Sequence, residues 1–72
     1  MTERWTVLKL LQWTADYFRD KGIESPRLDA ELLLSATLEM DRVALYVNFE
    51  RPLIAEELAR YREKVSRRAD RE

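Results

Sequence analysis

Arg60, Lys64, Arg67 and Arg71 recur at intervals of four, three and four residues, which sets four cations along one side of a helix. A row of that kind suits an acidic partner or a phosphate backbone. Leu10, Trp13 and Tyr17, at i, i+3 and i+7, form an apolar strip rich in aromatic surface, of the kind protein interfaces use. Acid–base work would need a carboxyl group whose pKa is driven away from its neighbour's. Asp16/Asp20 and Glu56/Glu57 are the pairs on offer, and neither sits in an evident apolar pocket. The chain has no histidine to act as general base or metal ligand, and no cysteine for a nucleophile, a zinc site or a disulfide. Its one glycine cannot build a phosphate-cradling loop. No catalytic, cofactor-binding or metal-ligating residue is therefore assigned.

Each surface feature also has a plainer reading. Glu56→Arg60 and Glu63→Arg67 are correctly oriented i,i+4 pairs, so the basic row is better explained as a solvated face. Burial within a helical bundle is the better reading of the aromatic strip, because aromatic stripes at helical spacing usually belong to the core. The formal net charge is −1, with 13 basic and 14 acidic residues. Residues 1–58 hold 7 basic and 11 acidic groups, whereas residues 59–72 hold 6 and 3. That balance disfavours nucleic-acid binding by bulk charge.

The elements that must carry these residues are helices. Seventy-two residues allow one small domain, and one glycine and two prolines beside eleven leucines predict few tight turns. The first helix is expected from about Thr6, its N-cap, to Lys21, with Gly22 and Ile23 closing a Schellman stop against Phe18. Val7, Leu8, Leu11, Ala15 and Phe18 make its buried face. Ser25 caps a second helix with Pro26 at its first position, running to Leu38. Its apolar residues nearly encircle the axis, which predicts a central helix buried by several neighbours. Asp41 caps a short third helix, Arg42 to about Val47, closed by Asn48, with Phe49 anchoring the next loop. The fourth runs from about Ala55 to Arg68 with a stripe of Ile54, Leu58, Tyr61 and Val65. Lacking a capping side chain before it, its start is expected to fray. No apolar run approaches the roughly 20 residues of a membrane span, and no secretory signal begins the chain.

The run Gly22-Ile23-Glu24-Ser25-Pro26-Arg27-Leu28-Asp29-Ala30-Glu31-Leu32-Leu33-Leu34 resembles the passage from helix one to helix two in the N-terminal domain of the release-factor glutamine methyltransferases, the HemK/PrmC family. The likeness covers essentially all 72 residues, through a last helix ending Arg67-Arg68-x-x-x-Glu72. One departure is Ile54-Ala55, where relatives can carry a capping Thr-Asp pair. The resemblance implies an enzyme that methylates the glutamine of the Gly-Gly-Gln motif in class 1 peptide-chain release factors, using S-adenosylmethionine. The chemistry would belong to a catalytic domain beyond residue 72, carrying a glycine-rich loop and an Asn-Pro-Pro-Tyr motif that are not in this sequence. The motif residues present have structural readings: Ser25 and Pro26 start a helix, Asp29 satisfies first-turn amides, and Arg27 pairs with Glu31.

The expectation is an all-α bundle of four or five helices, with Leu32, Leu33, Leu11, Phe18, Leu58 and Tyr61 at its centre. Residues 1–72 are expected to form one N-terminal substrate-recognition domain of a cytoplasmic methyltransferase. Its partners would be the release factor and the parent's own catalytic domain, with no membrane and with nucleic acid disfavoured. Leu10, Trp13, Tyr17, Arg60, Lys64, Arg67 and Arg71 are the candidate partner-binding residues. A freestanding helical adaptor or dimerisation module is the alternative, and a small nucleic-acid-binding helical domain a weaker one.

Overall fold

Thr6 Oγ1 accepts a hydrogen bond from the Lys9 amide at 3.2 Å and so caps α1 (Val7–Asp20). The N–H groups of Val7 and Leu8 have no partner within the helix, and the loop after the third helix satisfies them. They donate to Arg51 O and Phe49 O, both at 3.0 Å. At the other end Gly22 adopts φ +81°. Ile23 N–H reaches Phe18 O and Gly22 N–H reaches Arg19 O, both at 3.0 Å, which is the Schellman stop expected from sequence. A Cβ on Gly22 would meet nothing within 4 Å, so the left-handed backbone and not crowding calls for glycine there.

The structure, a computed structural model, describes residues 5–70. Three further helices follow α1 among these residues: α2 (Pro26–Leu38), α3 (Arg42–Val47) and α4 (Ala55–Asp70). Pro26 opens α2, but the Ser25 side chain makes no capping bond, so proline's fixed φ sets that start and not the serine hydroxyl. Asp41 Oδ1 accepts from the Ala44 amide at 2.9 Å and caps α3. Asn48 closes it, its side-chain amide donating to Ala44 O at 2.7 Å.

The start of α4 is capped, though not by the side chain of the residue before it. Glu57 reaches back so that its Oε1 accepts from the Ile54 amide at 3.1 Å, one half of a capping box. The same carboxylate is held by both terminal nitrogens of Arg51, at 3.3 and 2.9 Å. Ile54 is therefore a capping position, 60% exposed, and not the first residue of the buried stripe.

α1, α3 and α4 all pack on α2, which is central as its composition implied. The core joins Val7, Leu10, Leu11 and Phe18 of α1 to Ala30 and Leu34 of α2, Leu45 of α3, and Tyr61 and Val65 of α4. Leu11, Phe18 and Tyr61 hold the positions expected of them, while Leu33 and Leu58 are half-buried at the core's edge. Leu32 is not in the core: it is 49% exposed, in a stripe with Leu28 and Ala36. Three neighbours do not cover a helix that is apolar on every side, and Leu32 is left at an open cleft beside Arg42 and Val43 of α3.

Candidate functional site

The family-like motif builds the fold. Glu31 is 1% exposed, and its carboxylate accepts three hydrogen bonds from side chains. Arg27 Nε donates to Oε2 at 2.8 Å, Arg42 Nε to Oε1 at 2.9 Å, and the Tyr46 hydroxyl to Oε2 at 2.7 Å. Burial pushes the Glu31 carboxyl up, but the bonds from Arg27, Tyr46 and Arg42 outweigh it and hold the pKa below the ordinary glutamate value. The Arg27 pair was legible from spacing; the tie to α3 was not. Asp29 does not serve the first-turn amides of α2. Its Oδ2 instead accepts from Nε and Nη2 of Arg68 at 3.0 and 2.6 Å, across 39 residues, fastening α4 to α2. A two-bond arginine contact outcompetes a helix amide that water can also serve.

The aromatic strip divides on folding. Leu10 is 4% exposed and belongs to the core. Trp13 is 47% exposed and stacks on half-buried Tyr17, with ring centroids 5.3 Å apart and planes 10° apart. Trp5 meets Trp13 edge-on at 6.3 Å, and Lys21 Nζ lies 5.5 Å from the centre of the Tyr17 ring. Trp13 and Tyr17 form one wall of a groove of about 310 Å³, whose other wall is Tyr61, Arg62, Val65 and Ser66 of α4.

The basic row is largely neutralised by its own helix. Arg60 pairs with Glu56 at 2.8 Å and Arg67 with Glu63 at 2.9 Å, all four side chains more than half exposed. Lys64 is half-buried, and Arg71 lies outside the described residues. Arg62, which sequence reading passed over, stands on the opposite flank of α4 and lines the groove.

Asp16, Glu56 and Glu57 from the two candidate carboxylate pairs are each engaged by an arginine, Asp16 by Arg19 at 3.1 Å in the open and the two glutamates by different ones. The buried Tyr61 phenol is pushed up to about 12 by desolvation, partly offset by the Thr14 hydroxyl. Tyr61 donates to Ala30 O at 3.2 Å and has a structural part. Among the described residues no His, Cys, Asp and Glu cluster could hold a metal ion, and no helix is long and apolar enough to cross a membrane. A Rossmann-type nucleotide site pairs a glycine-rich turn with a carboxylate for the ribose, and the described residues do not bring these together. The one glycine ends α1, and the aromatic groove is lined by no carboxylate.

Comparison with known proteins agrees with the motif. The family model described as PrmC N-terminal domain matches residues 9–72. A protein named release factor glutamine methyltransferase from Geobacter sulfurreducens is 56% identical over 75 aligned positions, covering 100% of this chain and 26% of its own length. Proteins of the same name from Rhodopirellula baltica and Chlorobaculum tepidum are 48% and 47% identical, covering 92% and 81% of this chain and 22% and 20% of their own lengths. The chain thus spans about a quarter or less of the curated relatives it matches. No solved structure matches it significantly. Its motif, its helical fold and these relatives lead to one assignment: the chain belongs to the PrmC N-terminal domain family.

Proposed function

We propose that this domain docks a peptide-chain release factor for a protein-glutamine N5-methyltransferase whose catalytic chemistry lies in another domain of the same protein. One observation carries the reading. Trp13 stands at the surface, outside the core, stacks on Tyr17, which packs against the core, and with it borders a groove. Apolar aromatic surface held open to water in a small domain is characteristic of an interface. The relatives named for release-factor methylation support the partner.

The mechanism is positioning. A contact remote from the reacting glutamine turns delivery of that glutamine into an intramolecular event and raises its effective concentration at the active site. The domain's other partner is the catalytic domain, against which it must keep a defined orientation for this to work. Both act in the cytoplasm, with the release factor.

Removing residues 1–72 from the full-length protein tests this. KM for the intact release factor should rise at least about tenfold, the loss of a modest docking contact. Turnover of a short glutamine peptide, which cannot reach the domain, should not change. An unchanged KM for the release factor would refute the docking role.

A further inference from the structure

Eight arginines lie among the described residues, and seven of them are ion-paired: Arg19, Arg27, Arg42, Arg51, Arg60, Arg67 and Arg68 each meet a carboxylate within 3.1 Å. Arg62 is the exception. It is exposed, and it lines the groove on the α4 wall, with Tyr61 and Val65, facing the wall of Trp13 and Tyr17. Lys21, over the Tyr17 ring, adds positive charge near the same wall. The carboxylate one residue along α4, Glu63, is taken by Arg67 on the far flank. An unpaired guanidinium beside an aromatic wall suits a ligand with a negative and an apolar part. Arginine can meet a carboxylate through two parallel hydrogen bonds, which fixes orientation as well as charge.

We propose that the α1–α4 groove receives a release-factor segment in which a bulky apolar side chain stands beside an aspartate or glutamate. The apolar group packs on Trp13 and Tyr17, and the carboxylate pairs with Arg62. This rests on the docking role proposed above and adds the surface and the chemistry it selects. It also sets the basic row of Arg60, Lys64 and Arg67 aside, since two of those three cations already have carboxylates.

The test uses the full-length protein and the intact release factor. Arg62→Glu should raise KM by about tenfold or more with kcat nearly unchanged, because a like charge now faces the incoming carboxylate. Arg62→Lys, keeping the charge without the two-pronged geometry, should fall between. Arg19→Glu, the same charge change elsewhere, should stay within about twofold. A reversed carboxylate on the release factor should restore binding to Arg62→Glu. Arg62 is exposed and unpaired, so a melting temperature near wild type is expected and separates binding from folding. If Arg62→Glu behaves like Arg19→Glu while removal of the domain still raises KM, the docking role stands and this groove assignment falls. If removal of the domain leaves KM unchanged, both fall together.

Discussion

The Tyr46 hydroxyl donates to Glu31 Oε2 at 2.7 Å, so the short helix α3 hangs from a carboxylate buried in α2. α3 has only six residues and could not persist alone. Asp41 caps it, Leu45 plugs into the core, and Arg42 and Tyr46 fix its rotation on Glu31. Glu31 is thus the pin that sets where the loop through Phe49 and Arg51 meets the start of α1.

Glu31→Ala should cost about 1.5–3 kcal/mol, the range for hydrogen bonds to a charged group, since Arg27 and Arg42 can turn to water. Glu31→Gln should change the pH dependence. The folded pKa of Glu31 lies below its unfolded value, near 4.3, so its contribution is present above that pH and disappears as pH falls through the folded value. Denaturant melts between pH 3 and 7 should show wild-type stability declining on the acid side and a flatter limb in Glu31→Gln. The residual slope would reflect Glu57, whose pKa the Arg51 contact also holds down.

Local rules made much of the fold legible. Thr6, Gly22, Pro26 and Asp41 mark helix ends through side-chain or backbone preferences that act within four residues, and each sits where those preferences put it. The ties that hold helices together were not legible. Arg42 and Tyr46 lie 11 and 15 residues from Glu31, and Arg68 lies 39 from Asp29, so no periodicity relates them. Glu57 was readable in principle as the acidic half of a capping box, but its usual serine or threonine partner is absent. For the candidate surface, helical spacing favoured burial of the whole Leu10/Trp13/Tyr17 strip, and that holds for Leu10 but not for Trp13, which is 47% exposed. Arg62 was invisible because its distinction is the lack of a partner, and that needs every other pair to be known.

Leu34 and Leu32, two residues apart, should separate sharply. Leu34 is fully buried, so Leu34→Ala should leave a cavity and cost about 2–5 kcal/mol, most of the stability of so small a domain. Leu32→Ala should cost less than about 1 kcal/mol. Chemical denaturation of the two variants checks the orientation of α2, and equal losses would mean the helix is rotated from the position described.

Glu39 ends α2 with φ 59° and ψ 46°, a left-handed conformation that costs a side-chain-bearing residue about 1–2 kcal/mol. Glu39→Gly removes that strain at an entropic cost of about 0.5–1 kcal/mol. The net expectation is a gain of up to about 1.5 kcal/mol, read as a higher melting temperature. A clear loss would show that the Glu39 side chain holds the turn by contacts of its own.

Trp13→Ala in the full-length protein is the most direct test of the claim that this domain docks the release factor. The account predicts a raised KM for the release factor with turnover at saturation nearly intact, the pattern of lost uniform binding. It also predicts a melting temperature within a few degrees of wild type, because Trp13 is 47% exposed. An unchanged KM in a variant that melts normally would contradict the account.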